Sequence, residues 1–197
     1  MENESIRRAL DELMEGNRRF RGGAAAHPRQ DRRRRAETAG AQRPFAAVVT
    51  CADSRVAPEL LFDQGIGDLF VVRTAGGVLD AAGLGSVEYA VSHLGVRLVV
   101  VLGHTRCGAV QAALEGDGAC GSSAFVVEAL RPAVERARLR GGNVALEAVR
   151  GYVEETAACN RDARMIDAPL AAKMFAAGFK TVRLSLDGVE IAPADIS

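Results

Sequence analysis

The sequence predicts an α/β fold: a single domain around a mostly parallel sheet of four to five strands, flanked by helices and preceded by an N-terminal helical arm. Three observations carry that reading. From Phe45 onward, short runs rich in β-branched residues alternate with longer helical stretches, the pattern of βαβ units. A chain of 197 residues with 48% hydrophobic content can bury one sizeable core. The first 44 residues have a different texture, charged and punctuated by glycine and proline, which separates an arm and connection at 1–44 from a core at 45–197.

Each element follows from its local pattern. Ile6, Leu10, Leu13, Met14 and Phe20 recur near helical spacing over residues 4–20, and Gly22-Gly23 supplies a stop. Residues 24–44 read as a connection with one short helix around Asp31 to Thr38. Strands are expected at Phe45 to Thr50, Leu69 to Arg73, Leu98 to Leu102 and Thr181 to Leu186. Helices are expected at about 57–65, 82–94, 107–115, 123–140 and 143–158, with a last one near 169–177.

Composition narrows the function classes. The 25 acidic and 25 basic residues cancel, which argues against a surface built to collect nucleic acid or anionic lipid. The basic run Arg32 to Arg35 is flanked by Asp31 and Glu37 and reads as a solvated helix face. Residues 1–20 have no continuous apolar stretch, so they read as neither an export signal nor a membrane span. A cytoplasmic, reducing location is therefore expected, in which the four cysteines stay as thiols or thiolates.

Chemistry concentrates in two clusters, Cys51-Ala52-Asp53-Ser54-Arg55 and Gly103-His104-Thr105-Arg106-Cys107-Gly108, each directly after a predicted strand. Two thiolates and an imidazole make a tetrahedral zinc site with three firm ligands, leaving a fourth position to Asp53 or to water. Such a site belongs to an enzyme more readily than to a structural clip. Ligands of open parallel sheets gather outside the carboxyl ends of strands, so the clusters would meet if their strands are neighbours. Asp53 and Arg55 are spaced to pair beside the metal, the carboxylate serving as an acceptor that orients water. Cys120 and Cys159 have no companion at ligand spacing, and the same holds for His27 and His93. The glycines at 76, 77, 83 and 85 do not form a dinucleotide-binding fingerprint.

Together these segments resemble a β-class carbonic anhydrase. The likeness covers residues 10–115 and includes Leu10-x-x-Leu13-x-x-Gly16-Asn17-x-Arg19-Phe20, the Cys51 cluster, Gly67-Asp68-Leu69-Phe70-Val71-x-Arg73, Ser86-x-Glu88-Tyr89-Ala90-Val91 and the His104 cluster. The resemblance implies reversible hydration of carbon dioxide on a zinc ion held by Cys51, His104 and Cys107, with Asp53 either a fourth ligand or paired with Arg55. It further implies Phe70, Ala75, Tyr89 and Gly108 around the substrate and Gln42 as a donor to a substrate oxygen. A homodimer or dimer of dimers is also implied, with Leu10, Leu13 and Phe20 of the first helix packing on the partner.

Val48 stands where one branch of the family carries a tryptophan that holds regulatory bicarbonate, so the chain resembles the branch whose zinc stays open. Departures from the family pattern lie in Thr74-Ala75-Gly76-Gly77, in Tyr152-Val153 and in the last strand and turn, Val182 to Ile191. Two rival readings use the same zinc: a hydrolase of carbonyl sulfide or carbon disulfide, and a catalytically silent assembly partner.

Overall fold

The computed structural model describes residues 2–116, 120–162, 180–187 and 190–193. Helix α1 (Glu2–Arg21) is amphipathic, and its apolar stripe of Ile6, Leu10 and Leu13 is buried in the chain's own core. This corrects the expectation that the stripe docks on a partner: Leu13 is fully enclosed within the single chain, and Phe20 alone stays partly exposed. The close approach depends on Gly16, where a Cβ would lie 1.7 Å from the carbonyl oxygen of Phe62. Asn17 Nδ2 then donates to the Leu61 carbonyl at 2.9 Å, which satisfies a buried amide.

Two buried carboxylates tie the connection to the core. Asp63, whose side chain is 0% exposed, accepts from Arg19 Nε at 2.6 Å and from the backbone N–H groups of Ala26 and His27, each at 2.9 Å. Asp68 accepts from Arg29 Nε and Gly65 N, both at 2.7 Å, and from an Arg34 guanidinium nitrogen at 3.2 Å. Helix α2 (Arg32–Thr38) is capped by Asp31, whose carboxylate accepts from Arg34 N at 2.7 Å. The basic run is thus not wholly a solvated face: Arg32, Arg33 and Arg35 are exposed, whereas Arg34 folds back onto Asp68 and the Ile66 carbonyl.

Strands β1 (Ala46–Cys51), β2 (Leu69–Thr74), β3 (Leu98–His104), β4 (Lys180–Asp187) and β5 (Glu190–Pro193) form one sheet in the order β2-β1-β3-β4-β5, parallel except for the last pair. β1 and β3 are buried at every position, which is why both read as continuous apolar runs rather than alternating ones. β2 is an edge strand and only partly buried. The short helix α3 (Pro58–Leu61) stops well before the expected residue 65 because Asp63 takes a left-handed φ of 48° to reach its donors.

Helices α4 (Ala81–Ser92), α5 (Gly108–Glu115), α6 (Ser123–Arg140) and α7 (Val144–Asp162) complete the layers. Asp80 caps α4 by accepting from Gly83 N at 2.8 Å. α7 lies against the end of β3, where Gly103 makes room: a Cβ there would come within 2.6 Å of Val153 Cγ2 and 2.8 Å of Val149 Cγ1. The helix expected near 169–177 and the side chain of Cys159 lie outside the described residues. No described helix is long and apolar enough to cross a membrane.

Candidate metal centre

Register brings the two clusters together. Thr50 of β1 pairs with Leu102 of β3, so Cys51 leaves the sheet beside Gly103 and one residue from His104. Arg106 adopts φ 56°, and this turn carries the chain from the strand end to Cys107, the residue that caps α5. Cys51, His104 and Cys107 are all buried, and their ligand atoms lie within 4.8 Å of one another. Among the described residues they form the one such group of three or more potential metal ligands.

The geometry fits a tetrahedral metal. Cys51 Sγ and Cys107 Sγ are 3.9 Å apart, against roughly 3.8 Å for two thiolates each about 2.3 Å from a tetrahedral zinc. His104 Nδ1 meets the Thr105 carbonyl oxygen at 3.0 Å, which fixes that nitrogen as the N–H and leaves Nε2 with its lone pair. Nε2 is buried with no hydrogen-bond partner. An orphaned acceptor of this kind is costly in a core and natural in a ligand.

Electrostatics agree. The hydrogen bond from Cys107 pulls the Cys51 thiol down to about 4, against the opposing effect of burial and with help from His104. Cys107 is pushed up by its hydrogen bond with Cys51 and by burial. Burial would lower the His104 imidazole, but the neighbouring Cys51 sulfur and its negative charge raise it. A divalent cation bound here would engage Cys51, His104 and Cys107 together, with both sulfurs as thiolates.

Asp53 does not join the ligand cluster. Its Oδ1 accepts from Arg55 N at 2.9 Å and Arg55 Nε at 2.8 Å, and its Oδ2 from the same guanidinium at 2.6 Å. Arg55 is itself anchored on the Arg106 carbonyl at 3.0 Å, between the two cysteine clusters. The guanidinium holds the Asp53 carboxyl well below the usual carboxylate range. Of the four metal ligands expected, the structure therefore gathers three and holds Asp53 in the alternative pairing with Arg55.

Arg73 closes one of the segments that carry the resemblance, but the sequence assigns it no role. Its guanidinium donates to the Asp53 carbonyl at 2.6 Å and to the Cys51 carbonyl at 3.1 Å, clamping the backbone between ligand and carboxylate. An arginine closing an apolar strand, one residue before the Thr74 turn, was the available signal.

The remaining expected residues divide. Gly108 borders an open cleft of about 900 Å³ that also exposes Arg55, His104, Arg106 and Cys107. A cavity of about 20 Å³, which shares His104, Cys107, Val110 and Val149 with that cleft, is walled also by Gly76, Gly77, Tyr152 and Val153. Ala75 is exposed in the turn that follows β2. Phe70 pairs with Ala47, four residues short of the Cys51 level, and its ring centroid lies 6.3 Å from that of exposed Tyr89. Gln42 is exposed ahead of β1, at the end opposite Cys51. Phe70, Ala75, Tyr89 and Gln42 border neither of the two spaces beside the ligands.

A parallel α/β sheet presenting a Cys₂His set at its carboxyl edge, with a carboxylate and guanidinium pair alongside, defines a zinc enzyme of the α/β class. Residues 46–183 match the family described as carbonic anhydrase. The carbonic anhydrase of Mycolicibacterium smegmatis is 49% identical over 162 residues, covering 80% of this chain and 79% of that protein. Carbonic anhydrase 2 of Mycobacterium tuberculosis is 51% identical over 150 residues, 74% of this chain and 72% of its own length. Among solved structures, the β-carbonic anhydrase CafA of Aspergillus fumigatus superposes with a TM-score of 0.68 at 25% identity, covering 82% of this chain and 80% of that one. The chain belongs to the β-carbonic anhydrase family.

Proposed function

We propose that this protein catalyses the zinc-dependent, reversible hydration of carbon dioxide to bicarbonate and a proton. The observation that carries the reading is the buried Cys51, His104 and Cys107 set standing beside an Asp53 that Arg55 keeps off the metal. Zinc, when bound, supplies the Lewis acidity that lets water ionise near neutral pH. Asp53 offers a fixed acceptor that orients that water and keeps a lone pair directed at carbon, while Arg55 holds the carboxylate in place. The Thr105 carbonyl keeps the His104 ring in the tautomer that ligates through Nε2. The paired state of Asp53 also favours the open branch anticipated from Val48.

Gln42, Phe70 and Tyr89 serve the reaction through a second copy of the chain. β1 separates the Gln42 end from Cys51 by roughly 17 Å at about 3.3 Å per residue, which no side chain spans. Phe70 and Tyr89 lie partly exposed beside the edge strand β2, where a partner would cover them. A homodimer or dimer of dimers would bring these three to the partner's metal, completing a pocket to which each chain adds its own Gly108. We further propose one domain, arm at 1–44 and core at 45–197, supported by a single buried cluster running from Ile6 to Ala157. Free thiols at Cys51, Cys107 and Cys120 support a cytoplasmic location.

Stopped-flow hydration assays on one zinc-loaded sample, run with carbon dioxide and with carbonyl sulfide, test the reading. Faster turnover of carbon dioxide is expected. Turnover of carbonyl sulfide alone would transfer the site to the rival hydrolase, and zinc without turnover of either would leave an assembly protein.

A further inference from the structure

Near the carboxyl ends of β2 and β1, Arg73 pairs with Thr50 and Thr74 with Cys51, and the ladder runs out on a bond from Ala52 N to the Thr74 carbonyl at 2.7 Å. The loop that follows, residues 51–56, carries a metal ligand at its start and the Asp53 and Arg55 pair within it. Asp53 N donates to Cys51 Sγ at 3.4 Å, and the Asp53 carbonyl accepts from Val56 N at 3.1 Å and from Arg73 Nη2 at 2.6 Å. The first two of these bonds lie inside the loop and move with it. The bond from Arg73 comes from the sheet. The same guanidinium donates from Nε to the Cys51 carbonyl at 3.1 Å, so one planar fork sets the backbone of the ligand and that of the carboxylate at a fixed separation.

From this we infer that Arg73 is a positioning residue: by fixing the Asp53 carbonyl to β2, it holds the Asp53 carboxylate in its pairing with Arg55 and away from the fourth metal position. Its effect on rate rests on the proposed hydration reaction, whereas its effect on the position of Asp53 does not. A single methylene separates the Asp53 carboxylate from its Cα, so the place where the backbone is held decides which partner the carboxylate reaches. Arg55 engages both carboxylate oxygens but belongs to the same loop, and that pairing does not by itself fix the loop on the sheet. The other anchor of Arg55, the Arg106 carbonyl at 3.0 Å, holds the guanidinium and not the Asp53 backbone. Arg73 borders neither of the spaces beside the ligands, so what it does for the reaction passes through the loop it holds. Arg73 is also exposed, so its removal returns two carbonyls to water rather than leaving them buried and unpaired, and the fold survives. Without the fork the carboxylate divides between Arg55 and the metal, and each chain with Asp53 on the metal drops out of turnover.

A double-mutant cycle on the zinc-loaded full-length protein tests the coupling. Arg73→Ala should keep its zinc and lower kcat for carbon dioxide about tenfold with KM little changed, because a fraction of the chains is silenced while the rest bind as before. Placed on top of Asp53→Ala, the same change should cost less than about twofold, since the residue it positions is already gone. A loss of about tenfold in both backgrounds would mark Arg73 as a merely structural residue and overturn the proposal. The second readout needs no turnover: a crystal structure of zinc-loaded Arg73→Ala near neutral pH should show the Asp53 carboxylate off Arg55 and on the metal. An Asp53 and Arg55 pair that stays in its wild-type position overturns the proposal whatever the rate. Arg73→Gln, which keeps a single donor arm, takes both measurements if Arg73→Ala does not fold. Zinc-loaded wild-type protein that hydrates no carbon dioxide would overturn the functional reading alone, and the crystal structure would still decide the role of Arg73.

Discussion

At the scale of single residues, the metal centre rests on three donors that have no better use. His104 Nε2 is buried and unpaired, and the two cysteine sulfurs lie 3.9 Å apart. Cys107→Ser should therefore lose metal and activity together, checked by metal analysis; stoichiometric zinc in that variant would remove Cys107 from the ligand set. Asp53→Ala should keep zinc and fold yet lose about 100-fold or more in carbon dioxide hydration, since the carboxylate works in the reaction and not in holding the metal. A metal-loaded variant with near wild-type rate across neutral pH would deny Asp53 that role. The ligand residues were legible in the sequence because Cys and His at strand ends carry their chemistry in their identity. The resting partner of Asp53 was not, because a carboxylate two residues from a ligand and two from an arginine satisfies either geometry until side-chain positions are known. The role of Arg73 was not legible because it acts through backbone carbonyls, which leave no pattern in side-chain spacing.

Among the elements, β1, β2 and β3 and the helix at Ser123–Arg140 follow the sequence reading closely, since short β-branched runs and a long helical pattern leave strong local signals whether the strand is fully buried, as β1 and β3 are, or at the edge, as β2 is. Adjacency of β1 and β3, on which the whole site depends, could only be inferred from fold type. α1 was misread for a physical reason: an apolar stripe states that a face is covered, not by whose atoms. Its true anchor is the network centred on Asp63, a carboxylate invisible to periodicity. Burial works to raise the Asp63 carboxyl, but the N–H groups of Ala26 and His27 and the Arg19 guanidinium outweigh it and hold the group below its ordinary value. With the folded value below the unfolded one of about 3.9, this contribution is complete above that pH and is lost as pH falls through the folded value. Asp63→Asn should accordingly cost about 2 kcal/mol at neutral pH. The gap to wild type should narrow below about pH 4. Urea unfolding of both proteins across pH 3–7 checks it, and a gap that stays constant over that range would rule Asp63 out as the titrating anchor.

For the whole molecule, the proposed reaction calls on a second chain, because Gln42 precedes β1 at the end opposite Cys51 and Phe70 and Tyr89 border neither space beside the ligands of their own chain. Mixing two defective proteins tests this directly. Gln42→Ala keeps its metal and lacks the donor, whereas Cys107→Ser keeps the donor and lacks the metal. Random reassortment into dimers should restore about a quarter of the wild-type rate, from the single intact site in each mixed pair. No recovery after demonstrated subunit exchange would return Gln42 to its own chain or remove it from the reaction. The central claim is that zinc on Cys51, His104 and Cys107 hydrates carbon dioxide, and its most direct test is zinc titration of the metal-stripped protein followed by stopped-flow hydration at each addition. The rate should rise in proportion to bound metal and level off at one zinc per chain. A chain that binds its zinc with no rise in carbon dioxide hydration would contradict the account.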